Sequence, residues 1–156
     1  MRMKVVDIKN FPIFYNYVKN DITKLKNVQP ILRAIKRFSG ETKVATIKQG
    51  LTWSHGPIIE IVPMLICGEV RAYGCYAWGG NVIQIDRSLV RAYEAGTDRR
   101  ATREGRMVNV AGVTLLHELT HGSDAKDGVD NPVPGDPANE EGNAFEREVY
   151  GRIIQL

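Results

Sequence analysis

The sequence predicts an α+β fold: an N-terminal helix, a small twisted sheet of three to four strands, and two further helices towards the C-terminus. Three observations carry this. Apolar residues recur at helical spacing near residues 21–38, β-branched and aromatic runs dominate residues 41–86, and helical apolar stripes return after residue 107. With 156 residues, of which 43% are hydrophobic, the chain is expected to fold as one domain, residues 1–156, around a single core.

In chain order, Met1 to Tyr17 interleaves Arg2, Lys4, Asp7, Lys9 and Asn10 with apolar residues, a pattern unlike a signal peptide. Asp21 to Phe38 reads as a helix ending at Gly40, with Ile22, Leu25, Val28, Leu32 and Ile35 on one face, and Pro30 divides it into two short helices. Lys43 to Lys48 alternates and reads as a strand, as do Ile58–Val62, Glu69–Trp78 and Asn81–Asp86, the last two joined by a Gly79-Gly80 turn. Strand 81–86 or strand 69–78 is the expected sheet edge.

The segment Leu116-His117-Glu118-Leu119-Thr120-His121-Gly122 places H-E-x-x-H in an apolar helical run, with Gly122 expected to stop the helix. Histidines four apart lie on one helix face with Cβ atoms about 5–6 Å apart, so both imidazoles can reach one ion. Zinc accepts that pair and leaves a position for water when only three protein groups bind it. Glu118 then points towards that water as a general base. Buried polar groups on such a helix would be costly without a partner, and a metal supplies one.

A third ligand has three candidate sources. Asp136-Pro137 reads as the start of a helix running to about Ile154, with Ala138, Gly142, Phe145, Val149 and Ile153 as its stripe. Glu141 lies at the edge of that stripe and is the expected ligand; Glu140 projects almost opposite, towards solvent, and Glu148 could orient a ligand. Asp127, ten residues after His117, is the second source, and His55 the third, though His55 reads better as a loop residue. For an oxyanion donor, His55, Tyr150 and Arg147 are candidates in no order.

His117-Glu118-Leu119-Thr120-His121, followed by Glu140-Glu141-Gly142-Asn143-Ala144-Phe145-Glu146, resembles the compact gluzincin-type zincin metallopeptidases, among them bacterial effector and toxin domains. The resemblance covers residues 107–150. It implies a zinc ion held by His117, His121 and Glu141, Glu118 as base and proton shuttle, and peptide-bond hydrolysis. It also implies a peptide or protein substrate, a cognate inhibitor or immunity protein, and delivery by a specialised secretion system to a periplasm or target cell. A cytosolic peptidase is the expectation if the chain is not an effector. Two rivals share the histidines: a zinc amidase or peptidase acting on peptidoglycan peptides, and an inactive zinc-binding module, which would have no need of Glu118.

The remaining features are less specific. A net charge of +3 gives no indication of nucleic-acid binding, and no run is long enough to span a membrane. Arg99, Arg100, Arg103 and Arg106 read as a solvated linker or, more sharply, as a patch for an acidic partner. Cys67 and Cys75 are either small buried residues or a disulfide across a hairpin, and a disulfide would indicate an oxidising site of action. Glycines 122, 128 and 135 and prolines 132, 134 and 137 mark a long loop between the two helices.

Overall fold

The computed structural model describes residues 1–41, 43–77, 79–124, 133 and 140–155. The architecture is mixed α+β, as the periodicities predict. Strand β1 (Arg2–Met3) leads into helices α1 (Val5–Asn10) and α2 (Pro12–Asn16), and α2 continues as a π-helical turn over Tyr17–Ile22. A 3-10 turn (Leu25–Asn27) precedes α3 (Gln29–Ser39). The break expected at Pro30 is present: Val28 is extended, and the proline sits in the first turn of α3, where its missing N–H costs nothing.

Residues 44–51 differ from expectation. They form helix α4 (Val44–Leu51) rather than a strand. Ile47 and Leu51, four apart, are both fully buried, so the tertiary core selects the helical face over a short alternation that fits either period.

Strands β2 (Ile58–Val62), β3 (Ile66–Cys67), β4 (Val70–Arg71), β5 (Gly74–Ala77) and β6 (Val82–Asp86) follow. The main sheet has the order β1-β2-β6-β5, with β1, β2 and β6 parallel and β5 antiparallel to β6. Ile59 and Ile61 of β2 and Ile83 and Ile85 of β6 alternate into the core. The 79–80 turn closes the β5–β6 hairpin, with Gly80 N–H donating to Ala77 C=O at 3.2 Å. Of the two expected edges, β5 is the edge, and β6 is interior between β2 and β5. Strands β3 and β4 form a separate hairpin tied to β5 by a Cys67–Cys75 disulfide.

Helix α5 (Arg87–Glu94) is followed by β7 (Arg99–Ala101) and β8 (Met107–Asn109), a hairpin where a linker was expected, which carries the arginine cluster. Helices α6 (Val110–Asp124) and α7 (Glu141–Tyr150) complete the chain. Leu115, Leu116 and Leu119 of α6 and Phe145 of α7 are buried with the sheet isoleucines, each worth about 1.5–3 kcal/mol of apolar transfer. The expectation that Gly122 ends α6 is corrected: the helix runs on to Asp124, and Gly122 is there because Tyr76 of β5 packs where a side chain would stand. Asp136, Pro137 and Asp127 lie outside the described residues, as does the rest of the segment between α6 and α7 except Val133, which is buried, and Glu140. Among the described residues no helix is long and apolar enough to cross a membrane.

Candidate metal centre

The helix bearing the motif takes its start from a distant residue. Val110 N–H donates to Asp98 C=O at 3.0 Å and Ala111 N–H to Asp98 Oδ2 at 3.1 Å, so one residue satisfies two of the orphan donors of α6. Burial raises the Asp98 carboxyl above its ordinary pKa, against the opposing pull of the Ala111 N–H. Two to three turns on, α6 packs against α7, and His117 and His121 face that contact with ring centroids 5.1 Å apart. The close approach depends on Gly142, because a Cβ there would overlap the His117 ring.

Glu140 lies between the two imidazoles. Its Oε1 is 2.6 Å from His121 Nε2 and 3.3 Å from His117 Nε2, while its Oε2 accepts the Asn143 N–H at 2.5 Å and caps α7. The expectation that Glu140 faces solvent is therefore corrected. It assumed a helix already under way from Asp136, whereas α7 begins at Glu141, and Glu140 is the extended N-cap (φ −111°, ψ 103°), free of the helical wheel. Glu141, the expected ligand, instead meets the opposite nitrogen of His121, with Oε2 3.0 Å from Nδ1.

Glu146 completes the arrangement, its Oε1 2.7 Å from His117 Nδ1 and its side chain 5% exposed. Each histidine thus has its Nδ1 on a carboxylate and its Nε2 turned to a common point. Burial disfavours the His117 and His121 cations, but the carboxylates of Glu140 with Glu146 or Glu141, and the charge of Glu118, outweigh it and raise the two to about 10 and about 9. The same hydrogen bonds hold Glu140 below the usual carboxylate range despite its burial, and Glu141 is lowered chiefly by its hydrogen bond from His121.

Among the described residues, His117, His121 and Glu140 each offer one ligand atom, all within 4.8 Å of one another. Two imidazole nitrogens and one carboxylate oxygen form a donor set that suits zinc, and a carboxylate on the second imidazole nitrogen is the arrangement that orients a metal-bound histidine. The residues fit a metal.

Glu118 lies on the other side of His117 and is 6% exposed. It is pressed against β5, where Gly74 leaves room: a Cβ there would stand 2.6 Å from Glu118 Oε1. Burial raises its carboxyl, opposed by the two histidines and a hydrogen bond from the Tyr76 backbone. A cleft of about 350 Å³ opens here, lined by Arg71 to Gly74, Thr114, His117, Glu118, Asn143, Glu146 and the segment 153–155.

Other sequence candidates lie elsewhere. His55 is exposed, its Nδ1 3.2 Å from Trp53 C=O, and Glu148 pairs with Arg37 at 2.8 Å on the surface. Tyr150 lines a groove on the far face of α6 with Gly112 and Val113, and Arg147 is exposed on α7. Glu146 was missed by the sequence reading. Its signal was its place one turn after Gly142, an acid against the apolar stripe of α7.

A family model described as metallopeptidase toxin 3 matches residues 7–151, and the chain belongs to that family. No curated protein and no solved structure matches it.

Proposed function

We propose, taking membership of a metallopeptidase toxin family as the premise, that this chain is a zinc peptidase whose metal is held by His117, His121 and Glu140. The supporting observation is the convergence of two Nε2 atoms and Glu140 Oε1 on one point, with both Nδ1 atoms engaged by Glu146 and Glu141. Bound there, zinc supplies Lewis acidity that polarises a carbonyl and acidifies water. Glu141 takes the role of orienting His121 rather than the ligand role expected of it.

The chain's own residues account for the proton movements. Glu118 accepts a proton from the attacking water and delivers it to the leaving amine nitrogen as the C–N bond breaks, so the carboxylate is regenerated and one water is consumed. Its burial against Gly74 excludes bulk solvent and raises its basicity, both of which suit a base working near neutral pH. The edge strand β5 runs beside Glu118 and, among the described residues, has no strand on its outer side, so an extended substrate could add there beyond the Tyr76 N–H that Glu118 engages. Arg71 and Tyr73, which line the cleft, take the place of His55, Tyr150 and Arg147 as groups able to meet a developing oxyanion.

As a toxin, the domain would act after delivery outside the cell that makes it, and the Cys67–Cys75 bridge suits an oxidising compartment. The test is twofold. Purified chain should carry about one zinc, and Glu118→Gln should keep that metal while hydrolysis falls about 10²–10⁴-fold. Expression directed to the cytoplasm or periplasm of a host should be harmful in one of them and harmless there with Glu118→Ala. Equal harm from both forms, or no zinc under metal-replete conditions, would defeat the proposal.

A further inference from the structure

The chain does not leave the site when α7 ends. Gly151 adopts the left-handed conformation (φ 72°) and turns the backbone back, so that Ile153, Ile154 and Gln155 line the cleft opposite Arg71 to Gly74. This segment is in neither a helix nor a strand. The exposed Arg152 Nε–H donates to Ile153 C=O at 3.3 Å, and a buried side chain holds the next residue. The Ile154 N–H donates to Glu146 Oε2 at 2.6 Å, and Ile154 itself is 5% exposed and joins the core.

The partner of that hydrogen bond is the same carboxylate that holds His117, since Glu146 Oε1 is 2.7 Å from His117 Nδ1. One buried group therefore fixes a metal-facing imidazole with one oxygen and the backbone of a cleft wall with the other. A carboxylate can accept at both oxygens at once, whereas an amide would have to present N–H₂ to one of two donors. As an acid, Glu146 can thus serve both partners at once.

We propose that Ile153–Gln155 is a substrate-binding wall of the cleft and that Glu146 is a positioning residue latching this wall to His117. An extended peptide would pass between the 71–74 segment and the 153–155 segment, with the half-buried side chain of Ile153 presenting an apolar surface to the substrate and Arg71 a cationic one. A peptide carrying an apolar residue and an acidic residue around the scissile bond is the class this pairing would take. The inference rests on the peptidase reading.

The experiment uses the whole chain and a set of fluorogenic peptides that vary in apolar and acidic content, with zinc affinity measured by chelator competition. Ile154→Pro removes the N–H donor and leaves Glu146 and His117 in place. It should raise KM about tenfold with kcat changed much less, and weaken zinc binding several-fold. Glu146→Gln should weaken zinc binding about 10–100-fold and raise KM as well. Should Ile154→Pro fail to fold, Ile153→Asp carries the test, because that side chain is half-buried at the cleft: KM for apolar peptides should rise and zinc affinity stay as in the wild type.

Wild-type KM in Ile154→Pro and Ile153→Asp, in a chain that binds zinc and cleaves peptides, would overturn this inference alone. A kcat loss with unchanged KM in Glu146→Gln would reduce Glu146 to a metal-site residue and also overturn it. A wild type that binds zinc and cleaves no peptide would overturn the peptidase reading and the wall together.

Discussion

Gly142 lies flat against the imidazole of His117, so close that a methyl group on its α-carbon would overlap the ring. The position of one proposed ligand is therefore set by the absence of a side chain on the helix opposite. Gly142→Ala should displace His117, lower zinc affinity at least tenfold, and cost about 1–3 kcal/mol of stability through overpacking. Chelator competition and thermal melting check both effects. Wild-type affinity in this variant would mean that the ring has room to move.

Glu140 and Glu141 are adjacent but reach opposite nitrogens of His121, and this separates their expected phenotypes. Glu140→Ala should abolish stoichiometric zinc binding and also remove the cap on α7. Glu141→Ala should keep zinc at about 10–100-fold lower affinity, the usual effect of losing a group that orients a ligand. Elemental analysis of both variants decides the matter, and the reverse pattern would return the ligand role to Glu141.

The β3–β4 hairpin exposes Met64, Ile66 and Val70 and is joined to the edge strand by Cys67–Cys75, eight residues apart. Cleft-lining residues 71–74 lie between the two cysteines. Replacing both by serine should cost about 2–3 kcal/mol, the loop-closure value for so short a loop, and raise KM with zinc affinity intact. Denaturant unfolding and steady-state kinetics, each with and without reductant, provide the check. A double variant with wild-type KM would show that the bridge does not shape the cleft.

Asp86 caps α5 through Ser88 N–H at 2.7 Å and holds the base of the same hairpin through Leu65 N–H at 2.9 Å. Burial disfavours its carboxylate, but a hydrogen bond from the Ser88 hydroxyl, the two backbone N–H groups and the charge of Arg71 outweigh it and lower its pKa. A carboxyl depressed on folding adds stability above its unfolded pKa of about 3.9 and loses it as pH falls through the folded value. Asp86→Asn should therefore cost about 1–2 kcal/mol at pH 7. The gap from wild type should narrow below about pH 4. Unfolding curves at pH 7 and pH 3 test this; a gap independent of pH would remove the charge from the account.

The placement of the motif residues could be read from the chain because it follows helical spacing. His117, Glu118 and His121 needed only a helix, and α6 is one. The proposed third ligand could not be read in the same way, because it depends on where α7 starts. A shift of the helix start from Asp136 to Glu141 turns Glu140 from a wheel position facing solvent into a cap facing the histidines. Glu146 was hidden because its two partners, His117 and Ile154, lie on other segments, and no local pattern records them. The strand misread at Lys43–Lys48 has a related cause: six alternating residues fit either period, and burial of Ile47 and Leu51 makes the choice.

The polar groups proposed to hold and orient the metal come from a short stretch of chain, with 29 positions separating His117 from Glu146. The edge strand beside them comes from a segment more than thirty residues upstream of His117 and meets the motif helix at two points, Gly74 against Glu118 and Tyr76 against Gly122. Away from those two points the segments can change at different rates. On the peptidase reading, substitutions at Arg71 to Tyr73 would redirect the domain to a new substrate while the proposed metal cassette stayed as it is, so two chains alike from 117 to 146 need share no target.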